Sequence, residues 1–376
     1  MSEGERFTLA EARDLAVRAL VAAGTTEANA LSVATALVAA EADGQKGHGL
    51  SRLSSYAGQV RTGKVRGDAE PRVEKLSGSA VRIDAAAGFA FPALERAREA
   101  LVSMAGSQVV ALAAVYNSHH FGQGGYHVER LAEQGLIGLM LGNSPQAIAP
   151  WGGKQGLFGT NPIALAAPRR SGAPLVIDLS LAKVARGKVM AAAKSGEEIP
   201  EGWALDAEGR PTRDPEAALA GTMIPMGEAK GAALALLVEV LSATLVGANH
   251  GFEASSFFAA EGPPPGVGQL LMAIDPAPLS GGSFSDRLEV LIDALEVQPG
   301  ARLPAIAVWR PERPPQETAC CFHRRLQQRS ARWLTSAGRE ATTMVNGARS
   351  LLWEPFRLRG LRVGLLRSPQ IPQHYD

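Results

Sequence analysis

The sequence predicts an α/β protein, and two observations lead to this prediction. Between residues 80 and 141, short apolar runs rich in β-branched residues alternate with longer segments of helical periodicity. The chain has 376 residues, of which 46% are apolar and 20% are charged, so it can bury the large core that stacked helices and strands require. We therefore expect a sheet covered by helices.

Two alanine-rich helices are predicted before the first strand. Thr8 and Glu11 have the spacing of a capping box, and Gly24 stands where the first helix would end. A second helix is predicted from about residue 26 to residue 42. Both helices lead the chain to Glu41–Leu53, which contains the most informative residues of the sequence.

The predicted sheet follows these helices. A continuously apolar strand over 136–141 suggests burial on both faces, and Gly135 stops the helix before it. Residues 143–168 are rich in Gly, Pro, Asn and Ser, which predicts an irregular binding loop. The other predicted elements are strands over 80–83, 109–115, 176–179 and 269–274, helices over 91–104, 125–134, 182–195 and 286–297, and a surface segment over 200–225.

The most apolar helix is predicted from Lys230 to about Gly247. Its near absence of polar residues implies burial on most sides, either at a domain centre or at a subunit interface. Glu239 within it requires a partner. Because Glu239 and Ser242 interrupt the apolar run, it falls short of a membrane span.

Charge is distributed unevenly along the chain. Residues 301–376 contain 13 Arg and no Lys against 5 acidic residues, a net charge of +8, whereas the rest holds 25 basic and 32 acidic residues, a net charge of −7. The overall charge of +1 gives no reason to expect a nucleic-acid partner. The two cysteines, Cys320 and Cys321, are adjacent, which argues against a disulfide framework. The acidic N-terminus lacks an apolar core, so we predict a cytoplasmic protein.

His48 and Arg52 are the first candidate site residues. An imidazole can donate a proton to a developing alkoxide or amine near pH 7, and a guanidinium can hold a carboxylate through paired hydrogen bonds. The two residues are four positions apart, so in a helix that begins near Gly49 their side chains project in the same direction. The alternative is an ordinary loop histidine beside a solvated cation.

A second candidate segment, Asn117–Tyr126, follows a strand and precedes a helix. Its three glycines allow close approach of the backbone, and amides at a helix start can bind a pyrophosphate. The alternative for His119, His120 and His127 is an ordinary place on a turn or a helix surface. They keep no ligand spacing with a carboxylate, so no metal site is predicted. Neither a Gly-x-Gly-x-x-Gly after an early strand nor a Walker-type loop occurs, so a standard Rossmann domain is not supported.

Two further groups of polar residues complete the candidate site. Residues 143–162 supply amides and hydroxyls without charge, which suits sugars and an amide ring, although such residues are also common in turns. Asp178 ends a strand, where a carboxylate can orient an imidazole, bind ribose hydroxyls or simply cap a helix.

Six separate motifs carry a resemblance to a known family. They are Gly47–Gly49 with Arg52, Ser118–Gly125, Ala149–Gly153, Phe158–Ala164, Asp178 with Ala185–Lys188, and Pro200–Ala204. In this order and spacing, over about residues 7–304, the chain resembles the malate/L-lactate dehydrogenase family of the non-Rossmann type. Within that family, which includes sulfolactate, ureidoglycolate and diketogulonate oxidoreductases, it is most similar to the Δ1-piperideine-2-carboxylate/Δ1-pyrroline-2-carboxylate reductases.

The resemblance implies a fold and a set of roles. The fold is a non-Rossmann NAD(P)-binding fold with a mixed, largely antiparallel sheet flanked by helices, plus a helical domain, in a homodimer. His48 would be the proton donor, Arg52 the carboxylate clamp and Asp178 an orienting catalytic group, with Thr160 near the substrate. The cofactor would be NAD(P)H, with NADPH preferred. The implied cofactor-binding residues are His120, Phe121, Gly122, Gln123, Gly124, Asp178, Leu179, Ser180, Ala229 and Lys230.

Two features depart from the family pattern. The family usually has Ser before the catalytic histidine, whereas this chain has Gly47, so a hydroxyl relay to the imidazole is missing. From Ala305 onward the family's glycine, acidic residue and closing helix are not found, which suggests a replaced tail. We therefore divide the chain into a helical and substrate segment (1–75), an NAD(P)-binding and catalytic domain (76–300) and a divergent Arg-rich tail (301–376), for which disorder is one option.

We predict an NAD(P)H-dependent reductase of small cyclic 2-imino acids, pyrroline- or piperideine-2-carboxylate, or of 2-oxo acids. A ring imine can already carry its proton at neutral pH, which lessens dependence on a relay at Gly47. A malate-, lactate- or sulfolactate-type 2-hydroxy acid dehydrogenase is the alternative, and a dimeric scaffold with impaired catalysis is a third hypothesis. The predicted partner is a small carboxylate substrate, without nucleic acid or membrane.

Overall fold

The computed structural model describes residues 5–303 and 320–322 of the chain. The strands in these residues are β1 (Glu5–Phe7), β2 (Arg72–Lys75), β3 (Ala80–Asp84), β4 (Val110–Ser118), β5 (Ile137–Gly142), β6 (Ile163–Ala167), β7 (Leu175–Leu179), β8 (Ala204–Leu205), β9 (Pro211–Thr212), β10 (Thr222–Met223), β11 (Val267–Ile274) and β12 (Cys320–Phe322).

The described helices begin with α1, whose capping box is formed as predicted. The Glu11 amide donates to Thr8 Oγ1 at 3.2 Å, and the Thr8 amide donates to Glu11 Oε2 at 2.8 Å. The helices are α1 (Leu9–Ala22), α2 (Glu27–Ala42), α3 (Leu53–Arg61, preceded by a 3-10 turn over Leu50–Arg52), α4 (Ala90–Gln108), α5 (Gly124–Ala132), α6 (Arg186–Ser195), α7 (Pro215–Ala220), α8 (Ala229–Glu239, followed by a π-helical turn over Val240–Thr244), α9 (Pro276–Ser280) and α10 (Phe284–Glu296).

A seven-stranded mixed sheet forms the centre, in the order β2-β3-β4-β11-β5-β6-β7. The β3–β4 pair is parallel, with α4 as its crossover, and every other neighbouring pair in this sheet is antiparallel. β11 lies between β4 and β5, so a strand from late in the chain joins two strands from its first half. The predicted mixed, largely antiparallel sheet flanked by helices is therefore confirmed.

Two expectations for the polar segments were wrong in part. Residues 163–167 lie inside the predicted irregular loop, yet they form β6 and pair with β5 and β7. Three of these five residues are Ala, which has little intrinsic strand preference, so the neighbouring strands determine the pairing. Within the predicted surface segment 200–225, β8, β9 and β10 form a small sheet that buries Ala204 and Met223.

The helical layer α1–α3 has its own apolar core, which includes Leu20, Leu37 and Tyr56. Phe91 of α4 and Tyr126 of α5 join this core, whereas the other face of α4 packs on the sheet. The turn that carries His48 connects α2 to α3 and therefore lies where the helical layer meets the sheet.

Helix α8 is buried on one face only. Ala235 and Val238 are fully buried, whereas Leu236 and Leu237 are about half exposed at 50% and 45%. The π-helical turn that follows continues this apolar surface through Val240. The predicted burial on most sides is therefore not achieved within a single chain. Among the described residues, no helix combines the length and apolarity needed to cross a membrane.

Candidate active site

A tight turn between α2 and α3 presents His48. The His48 amide donates to the carbonyl of Gln45 at 2.8 Å, and Glu41 accepts from the amide of Leu50 at 3.1 Å. A Cβ at Gly49 would overlap this carboxylate, so glycine is required for the close approach. Burial raises the pKa of Glu41, and the Leu50 hydrogen bond opposes that shift. The Glu41 carboxylate thus stabilises the turn that carries His48.

Three side chains form a continuous hydrogen-bonded chain, which we call the histidine relay: Tyr56, His120 and His48. The Tyr56 hydroxyl lies 2.5 Å from His120 Nδ1, and His120 Nε2 lies 3.3 Å from His48 Nδ1. The two imidazoles are stacked, with ring centroids 5.3 Å apart and an interplanar angle of 13°. Tyr56 and His120 are buried, whereas His48 is only half-buried, so the chain runs from the interior towards solvent.

The hydrogen-bond pattern determines which nitrogen carries each proton. Burial raises the pKa of Tyr56 well above its ordinary value, so its hydroxyl keeps its proton and donates to His120 Nδ1. His120 then carries its proton on Nε2 and donates to His48 Nδ1. The remaining proton of His48 therefore lies on Nε2, the ring nitrogen that is not engaged by the relay.

Both relay histidines are neutral at neutral pH in this structure. Burial lowers the pKa of His48 to about 4, and the charge of Arg52 adds to the shift. The same two causes hold the pKa of His120 well below its usual range. An anion bound at Arg52 would offset its charge and raise both pKa values.

Arg52 follows His48 by one helical turn, as predicted. Its Nε donates to the carbonyl of Gly47 at 2.7 Å, and the ring of Phe258 lies 4.3 Å from Cζ. Nη1 is buried and has no hydrogen-bond partner among the described residues. A planar carboxylate bound at this nitrogen would satisfy it.

His119, His120 and His127 are all buried, so the turn or helix-surface interpretation is wrong for them. His127 Nε2 lies 2.9 Å from the carbonyl of Phe121. His119 packs edge-on against Tyr56, with neither ring nitrogen hydrogen-bonded among the described residues, and burial lowers its pKa to about 3. His119 therefore packs against Tyr56 of the relay but is not hydrogen-bonded to it.

In the predicted pyrophosphate loop, the two amides at the start of α5 are already hydrogen-bonded. Residues 120–125 are buried, and Asp178 accepts from the amide of Gly125 at 2.8 Å and from that of Gly124. Asp178 has no hydrogen bond to His48 or His120 among the described contacts, so the structure does not support its orienting role. Its carboxylate instead caps α5 and occupies the helix end predicted for a phosphate.

Among the predicted cofactor residues, those at the start of α8 are better suited to bind an anion than the loop before α5. Ala229 and Lys230 are exposed at the start of α8, which has no side-chain cap. Gly227 and Glu228 both have positive φ there, which turns the chain sharply into the helix. Leu179 and Ser180 are half-buried at the end of β7, and Ser180 Oγ accepts from the amide of Ala182.

A second buried polar cluster, the Glu239 network, ties three loops together. One Glu239 oxygen accepts from Asn143 Nδ2 at 3.1 Å and from the amide of Gly251 at 2.7 Å. The other accepts from Asn161 Nδ2 at 2.7 Å. The predicted partner of Glu239 is thus three amides. Thr160, beside Asn161, has its amide bonded to Ser144 Oγ at 3.0 Å, and no hydrogen bond joins it to Arg52 in the described part of the chain.

Sequence reasoning missed two components of the site. Tyr56 follows Arg52 by four residues, and this helical spacing could have revealed it. Phe257 and Phe258 come from a loop about 200 residues later, and no local pattern points to their position. Across the described residues, no cluster of three or more His, Cys, Asp or Glu side chains could hold a metal ion.

The sequence profile of the malate/L-lactate dehydrogenase family matches residues 7–319. A (2R)-3-sulfolactate dehydrogenase (NADP(+)) from Chromohalobacter salexigens is 55% identical over 298 residues, which cover 79% of this chain and 89% of that protein. A Δ1-pyrroline-2-carboxylate/Δ1-piperideine-2-carboxylate reductase from Pseudomonas putida is 40% identical over 286 residues, 75% of this chain and 83% of the reductase.

A solved structure is also similar. The crystal structure of Δ1-piperideine-2-carboxylate reductase from Pseudomonas syringae pv. tomato superposes with a TM-score of 0.76 at 40% identity, over 80% of this chain and 91% of that one. These matches confirm the resemblance drawn from the six motifs and the predicted class, an NAD(P)-dependent oxidoreductase.

Proposed function

Because the chain belongs to the malate/L-lactate dehydrogenase family, we propose that it is an NADPH-dependent reductase of small 2-oxo or cyclic 2-imino carboxylic acids. One observation carries the proposal. The unpartnered Nη1 of Arg52 lies one helical turn from a histidine whose Nδ1 is held by the relay and whose Nε2 is left to donate a proton.

Each of these residues has a defined task. Arg52 binds the substrate carboxylate and fixes the position of C2 relative to His48. The bound carboxylate offsets the charge of Arg52, so the pKa of His48 rises towards its ordinary value and the imidazole can act as an acid. His48 Nε2 then protonates the oxygen or nitrogen attached to C2. His120 and Tyr56 hold the His48 ring in position, and the proton that His48 gives up is replaced from solvent at this half-buried ring.

The cofactor contributes the hydride that C2 receives. We assign its anionic groups to the exposed start of α8, where the Ala229 amide has no hydrogen-bond acceptor among the described residues and Lys230 supplies a positive charge. The buried loop His120–Gly124 and Asp178 shape the floor of the site instead. NADPH is preferred over NADH in this assignment because one similar protein is named for NADP(+).

The substrate class has two candidates. Cyclic imino acids are favoured by several relatives named as reductases of pyrroline-2-carboxylate, and a protonated imine needs less from the acid. A 2-hydroxy acid dehydrogenase of the sulfolactate type is favoured by the relative at 55% identity. In both cases the reacting group is a C2 carbon beside a carboxylate.

We also propose a homodimer. The apolar surface formed by Leu236, Leu237, Val240 and Leu245 is exposed in one protomer, and Leu245 is 62% exposed. Neighbouring exposed apolar side chains of this kind often mark a protein–protein interaction surface. A second copy that packs on it would provide the burial that the composition of α8 predicts.

The test is a side-by-side assay of Δ1-pyrroline-2-carboxylate, Δ1-piperideine-2-carboxylate, oxaloacetate, pyruvate and sulfopyruvate with NADPH and with NADH. We expect turnover of at least one of these acids, with a higher kcat/KM for NADPH. Absence of turnover, together with no change in intrinsic fluorescence on titration with NADPH, would favour the scaffold hypothesis.

A further inference from the structure

One loop reaches the candidate site from far along the sequence. We call residues Ser256–Glu261 the aromatic loop, because it carries Phe257 and Phe258. The ring of Phe257 lies 5.1 Å from that of His120, and Phe258 lies against the guanidinium of Arg52. The loop thus contacts both the relay and the predicted carboxylate clamp.

Side chains at the end of α3 and just beyond it fasten the aromatic loop to the helical layer. Lys64 Nζ donates to the carbonyls of Ser256 at 2.7 Å, Ala259 at 3.0 Å and Glu261 at 3.2 Å. The remaining bonds are two from Gln59 Nε2, to the carbonyls of Phe257 and Ala259 at 3.0 Å each, and one from Thr62 Oγ1 to Ala260 at 2.7 Å.

Lys64 is unusual for a buried cation. It is 1% exposed, and among the described residues no carboxylate lies within ion-pair distance of it. Its three ammonium protons are all used by the three carbonyls, so the side chain is satisfied only while the loop keeps this conformation. Burial of an ammonium without a counter-ion is costly, so a residue with only a packing role would more commonly be apolar.

Phe258 shows what the loop does at the site. The side chain is 44% exposed, yet its ring covers one face of the Arg52 guanidinium. The Nε–H of Arg52 donates to the Gly47 carbonyl, so this edge of the guanidinium is already occupied. With one face covered and Nε engaged, the guanidinium can meet a carboxylate only through its terminal nitrogens, of which Nη1 is unpartnered.

We infer that Lys64 is a positioning residue, which holds the aromatic loop so that Phe258 orients Arg52 for the substrate carboxylate. This inference rests on the proposed function and names a further determinant of carboxylate binding. Lys64 itself does not touch the substrate, so its effect must pass through Phe258.

The experiment compares Phe258→Ala, Lys64→Met and the double variant, with Phe252→Ala as the matched control. Phe252 is 52% exposed and stacks on His250, whereas the aromatic ring over Arg52 is that of Phe258. Two quantities are measured: the KM and kcat for the best substrate acid, and the Kd of pyrrole-2-carboxylate by calorimetry, which needs no turnover.

We expect Phe258→Ala to raise both the KM and the Kd about fivefold, since loss of a cation–π contact of this kind costs on the order of 1 kcal/mol. The kcat should change less than the KM. Lys64→Met should give the same pattern, and the double variant should be no worse than the more affected single variant, because both act through one contact. Phe252→Ala should resemble the parent protein.

Three results would overturn the inference: an unchanged Kd in Phe258→Ala, effects of the two variants that multiply, or an equal loss in Phe252→Ala. If Lys64→Met does not fold, Thr62→Val loosens the same loop by one hydrogen bond, and an unchanged Kd there counts against it. A parent protein that binds pyrrole-2-carboxylate but turns over no acid refutes the proposed function while the Kd values still decide the role of Lys64.

Discussion

The histidine relay and the Glu239 network are both buried polar clusters, but they end differently. In the Glu239 network, both carboxylate oxygens accept from buried amides, and among the described residues only Asn161 Oδ1 is left without a partner in it. The relay starts at buried Tyr56, passes through His120 and ends at half-buried His48, beside a guanidinium nitrogen that lacks a partner.

This difference separates a scaffold from a site. A buried carboxylate whose two oxygens are both taken by amides is not available to a ligand, so its effect is to fix the loops that it joins. An open chain that ends at solvent can still accept an anion and move a proton. Changes in the relay should therefore alter chemistry with little loss of stability, and changes in the Glu239 network should do the reverse.

The largest effect is expected from His48→Ala. Removal of the proton donor should lower kcat by about 10² to 10⁴-fold. The melting temperature should hardly change, because His48 is half-buried and the turn is held by Glu41. Steady-state kinetics measure the loss in kcat, and thermal unfolding of the same preparation measures the melting temperature.

Tyr56→Phe tests the same relay and should have a smaller effect than His48→Ala. It keeps the ring but removes the hydroxyl that fixes the tautomer, so a loss in kcat of about tenfold is expected. A His48→Ala variant with the full activity of the parent protein would refute the role of the relay. If Tyr56→Phe has the same kcat as the parent protein, that role is restricted to His48.

In the Glu239 network, Glu239→Gln should reduce the free energy of unfolding by about 3 kcal/mol. A glutamine has one acceptor oxygen where three amide donors now converge, so at least one buried amide loses its partner. Urea unfolding measures the loss. Glu74→Gln, a change at an exposed carboxylate of β2, is the control and should leave the unfolding midpoint unchanged. Equal midpoints for both variants would contradict the scaffold role.

A smaller effect concerns acid stability and His119. Its pKa in the folded chain is about 3, below the ordinary 6.5, so the unfolded chain binds this proton first as the pH falls. Protonation of His119 therefore does not affect the free energy of unfolding above about pH 6.5, and it lowers that free energy progressively as the pH falls towards 3.

His119→Leu removes one such proton. The slope of unfolding free energy against pH should therefore fall by about 1.4 kcal/mol per pH unit between pH 4 and 6. Stability at pH 7 should be equal or greater, because both ring nitrogens lack partners now. Urea unfolding at several pH values measures the slope, and an unchanged slope would contradict the assignment.

Patterns within one element predicted much of the fold and part of the site. Capping of α1, the central strands and the proximity of His48 to Arg52 follow from spacing along a single helix or strand. The sequence left three roles open for Asp178, of which capping a helix was one. Its actual partners, the amides of Gly124 and Gly125, lie more than 50 residues away in the sequence, so no local pattern identifies them. Contacts between distant segments, such as His120 with His48 or Phe258 with Arg52, depend on tertiary packing that no local period encodes.

The smallest effect is expected from Gly47→Ser, which restores the residue that the family usually has before the histidine. A Cβ at position 47 would meet no atom within 4 Å, and Gly47 does not have positive φ, so the serine fits without strain. His48 Nδ1 already has a partner in His120, so a new hydroxyl adds little to the tautomer that the relay has fixed. We expect kcat to change by less than about threefold, a shift below 1 kcal/mol. A tenfold rise, measured under the conditions used for His48→Ala, would mean that His120 does not replace the missing hydroxyl.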